Sequence, residues 1–150
     1  LYMHRYLLFL LLLGIVIAGS APYVSPGFQI GMNTNGNFFI STQTTVGYLS
    51  SDGLPSNFGI TLGLRMYYLE TVWKKYRYID FQFWPVITGF GVGKMIDDKK
   101  NMYTRYKTGF GVLGYLTYDY CKIPKIGNHN FGLIGVVPFW DWKEYNPETG

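Results

Sequence analysis

The chain's 150 residues fit one domain. It is 48% hydrophobic and 19% aromatic but only 15% charged, whereas soluble domains carry roughly 25% charge, so its surface is short of groups that water solvates. The net charge of +4 is scattered and forms no basic stripe, which argues against a nucleic-acid partner. With Cys121 alone and two histidines, neither a disulfide nor a metal cluster is expected, and no motif calls for a cofactor.

The N-terminal segment has a short positive start, Met3-His-Arg-Tyr6, an apolar run from Leu7 to Ala18, and a small-residue exit, Gly19-Ser20-Ala21. That is the order of a secretory signal peptide. Cleavage is expected after Ser20, leaving 21–150 as a single domain, because a cut after Ala21 would put Pro22 directly beyond the bond. An uncleaved anchor is the alternative, but the run falls short of the about 20 residues that a membrane-spanning helix needs. Leu1 precedes Met3, and Asn146 to Gly150 form no obvious terminal element. Both suggest a frame that starts early and a chain that stops short.

Pro22-Tyr-Val-Ser-Pro26 reads as a lead-in, too rich in proline for the interior of a ladder. Phe28, Ile30 and Met32 then alternate with Gln29, Gly31 and Asn33, and Asn35-Gly36 predicts a type I′ hairpin turn. The returning strand runs from Asn37 to Leu49. After a loop at 50–56, Phe58 to Tyr68 carries Ile60, Leu62, Leu64 and Met66 on one face, with Gly59, Thr61, Gly63 and Arg65 on the other. Side chains alternate across a strand, so this segment is half apolar and half glycine or polar. The next strand opposes Ile79, Phe81 and Phe83 to Tyr78, Asp80 and Gln82, and Trp84-Pro85 is either a turn or a kink. Val86 to Gly93 continues the alternation, Asp97 to Asn101 is a charged turn, and Met102 to Cys121 is a long run bent at Gly109 or Gly114. A loop at 122–130 leads to a last strand with Phe131, Leu133, Gly135, Val137 and Phe139 on one face, placed at a sheet edge by Pro138. No capped helical period interrupts this order. The expected fold is all-β, an antiparallel up-and-down meander of about seven to eight strands closing into a small barrel.

The second face of these strands is mainly Gly, Thr, Ser, Gln and Tyr, with the isolated charges Arg65, Asp80, Lys94 and Lys107. Aromatic residues gather near strand ends: Tyr67, Tyr68, Trp73, Tyr76, Trp84, Tyr103, Tyr118, Tyr120 and Trp140. By this pattern, over about residues 26–140, the chain resembles a small bacterial outer-membrane β-barrel. The resemblance implies an apolar face toward lipid, a polar lumen, aromatic girdles and an even strand number. It also implies an exported envelope protein with lipid around it, a structural, adhesion or interaction role, contact with another envelope protein, and no catalysis. A soluble exported barrel carrying a small apolar ligand is the alternative, and there the apolar faces would point inward. A membrane-embedded lipid-modifying enzyme is the third reading.

Gly89-Phe-Gly-Val-Gly93 lacks the spacing and the following helix of a nucleotide loop, so close backbone approach explains it better. His129 would be the base of any hydrolytic site, but nothing around Ser41, Ser50 or Ser56 forms a nucleophile elbow, and it reads as a turn histidine. Asp80 shares a face with Tyr78 and Gln82, and Asp119 with Arg105 and Lys107. With Arg65 or Lys94 these carboxylates are expected to form a lumenal ion network. Lys74-Lys75-Tyr76-Arg77 reads as a solvated basic cluster, with anionic head groups as its other partner.

Overall fold

A computed structural model describes residues 20–50, 56–85, 87–111, 114–137 and 139–140; the signal-like segment at 1–19 lies outside them. The strands are β1 (Ser20–Asn33), β2 (Phe38–Ser50), β3 (Ser56–Leu69), β4 (Val72–Pro85), β5 (Thr88–Asp97), β6 (Met102–Gly111), β7 (Gly114–Cys121), β8 (His129–Val136) and the short β9 (Phe139–Trp140). Each of the first seven pairs antiparallel with the next, and β8 returns to pair with β1. The sheet is therefore a closed up-and-down barrel without an open edge. The strand number is even because Trp84-Pro85 ends a strand and the run from Met102 to Cys121 folds back between Gly111 and Gly114.

The prolines do not act as expected. Pro22 and Pro26 lie within β1, opposite Tyr48 and Thr44 of β2. The Pro26 carbonyl accepts from the Val137 amide at 3.1 Å, so its backbone polar atoms point to the closing seam, away from β2. The missing donors therefore cost the β1–β2 ladder nothing. On the seam the ladder lapses after Gly27–Val136 and resumes in the same register at Val24–Phe139. β9 is thus β8 continued. The edge expected from Pro138 rests on a residue outside those described, and β8 itself is paired on both sides.

Two turns share one geometry. At the first, Gly36 N–H donates to Asn33 O, and Gly36 has φ 81°. Residues 34–36 thus form a three-residue loop ending in a left-handed glycine, in place of the expected two-residue turn at Asn35-Gly36. Asn33 Oδ1 accepts from the amides of Asn35 and Asn37. Between β5 and β6, Asp97 Oδ1 accepts from the amides of Lys99 and Asn101 in the same way, with Lys100 at φ 66° in the glycine's place. The hydrogen bond from the Asn101 side chain, helped by that amide and by Tyr103, holds the Asp97 carboxylate below its usual pKa. That contribution is present above the usual carboxylate range and is lost as pH falls through the lowered value.

The two-residue type I′ turn occurs between β3 and β4. Glu70 and Thr71 have φ 44° and 73°, which suits glycine or asparagine and strains a β-branched residue. Thr71→Gly is expected to raise stability by about 1 kcal/mol, read as a higher urea midpoint. An unchanged or lower midpoint would mean that the threonine is not strained there.

Alternation is kept around the whole barrel, and its sense is apolar outward. Each of β1 to β8 exposes large hydrophobic side chains, among them Phe28, Val46, Leu62, Phe81, Leu116 and Leu133. The inward faces of the same strands bury Gln29, Ser41, Thr61, Arg65, Asp80, Arg105 and Asp119. Glycines on the inward face make room for large neighbours: a Cβ at Gly63 would lie 2.1 Å from the Tyr78 ring, and one at Gly89 would lie 1.9 Å from Trp84. The aromatic residues divide accordingly. Tyr68 and Trp73 are exposed, whereas Tyr67, Tyr76 and Trp84 are buried inside.

Candidate functional site: a filled lumen inside an apolar wall

At mid-height the lumen is crossed by charged side chains. Arg65 of β3 meets Asp119 of β7 through two hydrogen bonds of 2.9 Å, Nη1 to Oδ1 and Nη2 to Oδ2. Arg105 of β6 donates to Asp119 Oδ2 at 3.0 Å and to Asp80 Oδ2 of β4 at 2.8 Å. Arg65 also donates to Gln29 Oε1 of β1 and to the Tyr67 hydroxyl, which in turn donates to Asn130 Oδ1 of β8. Six strands thus join across the axis. Both guanidinium groups lie over aromatic rings, Arg65 4.1 Å from Phe39 and Arg105 4.4 Å from Tyr78, and cations desolvated in this way gain from the ring quadrupole. This paired arrangement makes burying four charges tolerable.

Lys107 is the exception. It is 4% exposed, and its ammonium group donates one long hydrogen bond, to Gln43 Oε1 at 3.5 Å. Among the described residues the lumen therefore holds three cations, Arg65, Arg105 and Lys107, against the carboxylates Asp80 and Asp119. Lys107→Met keeps the chain length and removes the unpaired charge. It is expected to stabilise the barrel by about 1 kcal/mol or more, measured by denaturant midpoint. A loss of that size would show that Lys107 acts as a structural counter-charge.

Below the ionic layer, toward the β2–β3 end, hydroxyls and amides continue the network. Gln29 donates to Thr117 Oγ1, Gln82 to Thr45 Oγ1, and Thr45 shares a hydrogen bond with Thr61. Trp84 and Tyr115 then meet at 4.7 Å between ring centroids. At the other end, Phe39, Tyr67, Tyr76, Met95 and Cys121 form an apolar layer, closed from above by Ile123 and Ile126. These two isoleucines come from the β7–β8 connection, which Asn33 and Asn37 hold across the mouth by donating to Ile126 O. Two isoleucines in an otherwise polar loop were the sequence signal for this cap, and a loop reading misses it.

The other sequence candidates fall apart in space. His129 is not in a turn: it opens β8, exposed on the outer wall, with Nδ1 2.7 Å from the Tyr118 hydroxyl and its ring packed on Tyr118 and Tyr120. Ser41 faces the lumen and bonds Tyr78, while Ser50 and Ser56 pair with each other at the opposite end of the barrel. No hydrolytic triad is assembled from these residues. Lys94 is a correction: it shares parity with Phe90 and Val92, so it points outward, where Nζ donates to Thr104 Oγ1 at 2.8 Å. Asp80 and Asp119 are brought together through Arg105, not as a carboxylate pair. In the basic cluster Tyr76 turns inward, while Lys74, Lys75 and Arg77 are exposed. Among the described residues, no group of three or more His, Cys, Asp or Glu side chains could hold a metal ion.

The arrangement braces a narrow barrel from within and leaves its outer wall apolar. Comparison with protein-family models, with curated proteins and with solved structures returned no match.

Proposed function

We propose that the chain is an exported barrel of the outer-membrane type, embedded in lipid through its outer wall, with a structural, adhesion or interaction role and no catalysis. The observation that carries this reading is the sense of the alternation: large apolar side chains point outward on each of β1 to β8, while Arg65, Asp80, Arg105, Lys107 and Asp119 are buried inside. In water such a wall would far exceed the few hundred Å² of contiguous apolar surface that soluble monomers tolerate. In a bilayer it is the required solvent contact, and closure satisfies the backbone. Strands of 8–14 residues match the about 9–11 that a tilted strand needs to cross. A soluble carrier would need an apolar interior, and the ionic layer occupies that space. A transport role is also disfavoured, because eight-stranded barrels are filled by side chains and this lumen is bridged from wall to wall.

The test is fractionation of cells expressing the chain with its N-terminal segment, followed by gel mobility of the unheated and heated protein in detergent. Recovery in the outer membrane, with mobility that changes on boiling, is the expected result. Recovery as a soluble periplasmic or secreted species would overturn the reading.

A further inference from the structure

Among the described residues, charged side chains on the outer faces of the strands occur at three positions, Lys75, Arg77 and Lys94, all cationic and all on β4 and β5. Elsewhere charges lie in the lumen, at the rim or in turns. Arg77 stands opposite Ile96, and Ile79 opposite Lys94, so Lys94 is the diagonal neighbour of Arg77, while Lys75 is two residues away along β4. Such neighbours are roughly 7 Å apart, and long side chains from these positions can converge on one anion. The ion pairs among the described residues involve Arg65 and Arg105, so no carboxylate neutralises the three. Lys94 spends one of its three ammonium protons on Thr104.

An apolar groove lies farther along the same outer face, beginning two residues from Lys94 on β5 and four from Arg77 on β4. Following the outer face from Arg77 leads to Ile79, Phe81 and Phe83, and from Lys94 to Val92 and Phe90. There a groove of about 550 Å³ is lined by Phe58, Phe81, Phe83, Phe90, Val92 and Tyr106. Lys94 and Phe90 are separated by roughly 13 Å of strand, the length of an extended acyl segment. On the other side of the basic group, toward the β3–β4 turn, Trp73 and Tyr68 pack together at 5.1 Å, residue types that settle at the head-group level.

Resting on the membrane reading above, we propose that this face of β4 and β5 is a binding site for one anionic lipid, its phosphate held by Lys75, Arg77 and Lys94 and an acyl chain in the groove. The site is one-sided, since the remaining described wall carries no charge, so it would fix the barrel's height in the bilayer as well as its lipid neighbour.

The test uses the mature chain folded into detergent and into vesicles, with phosphatidylglycerol and phosphatidylcholine as probes. Lipid retained on the detergent-solubilised barrel is counted by native mass spectrometry. A basic side chain near a lipid surface contributes roughly fivefold, so phosphatidylglycerol is expected to be retained of the order of a hundredfold over phosphatidylcholine. The preference is expected to fall to near parity in K75Q/R77Q/K94Q and to stay unchanged in K99Q/K100Q, which alters turn lysines away from the groove. Inorganic phosphate at equal concentration is expected not to displace the lipid. Equal retention of both lipids by the wild type, an undiminished preference in the triple variant, or displacement by phosphate (a free-anion site) would each overturn the proposal. Flotation with pure phosphatidylcholine vesicles separates the two levels. A barrel that inserts there without preferring phosphatidylglycerol contradicts only the lipid site, whereas failure to insert contradicts the membrane reading and the site with it.

Discussion

Asp119→Ala is expected to destabilise the barrel by about 3–5 kcal/mol. The carboxylate accepts three hydrogen bonds, two from Arg65 and one from Arg105, and both arginines are fully buried. Removing it leaves Arg65, Arg105 and Lys107 in the lumen with Asp80 as the remaining carboxylate. The cost is that of stranding buried charge, which exceeds what the intact pairs contribute relative to apolar replacements. The double variant Asp119→Leu with Arg65→Met should therefore recover much of the loss, since Arg105 keeps Asp80. Denaturant midpoints in detergent, or the temperature at which gel mobility changes, measure both. A single variant within about 1 kcal/mol of the wild type would contradict the buried network.

Leu62→Arg carries the second large effect, and its size depends on what surrounds the wall. Leu62 lies mid-strand in β3, between Thr44 of β2 and Ile79 of β4, and is 58% exposed. An arginine at the midplane of a lipid-facing wall costs about 2–4 kcal/mol, falling to about 0–1 near the interface. On a water-facing surface the same change lies within about 0.5 kcal/mol. The expected result is a loss in the upper range for Leu62→Arg in vesicles and a small one for Tyr68→Arg near the β3–β4 turn. Equal, small effects at both positions would place the wall in water.

Most of the strand order was legible because the alternation from Phe28 to Gly135 is so regular, and the acids and arginines of the lumen could be assigned to one face by parity alone. The sense of the alternation was not legible. A strand with one apolar face reads the same whether that face points into a barrel or out of it, and only the register that places Arg65, Arg105, Asp80 and Asp119 across one axis decides which. Lys94 shows the opposite failure. Its parity with Phe90 and Val92 already put it outside, and treating every strand charge as lumenal misplaces it. The prolines misled for a geometric reason: proline is excluded from a ladder only on the side its nitrogen faces, and sequence does not say which neighbour that is. Trp84, Tyr67 and Tyr76 look like girdle residues in the sequence but fill the lumen, because strand ends are also where a barrel has a mouth to plug inside.

The measurement closest to the central claim is the relaxation of nitroxide labels at positions 62 and 116, and at turn position 99 for reference. The barrel is inserted in phosphatidylcholine vesicles in a Cys121→Ala background. Lipid-soluble oxygen and a water-soluble nickel complex compete as relaxants. The wall described here predicts that oxygen dominates at 62 and 116 and nickel at 99; nickel dominating at all three would mean that the apolar wall does not face lipid.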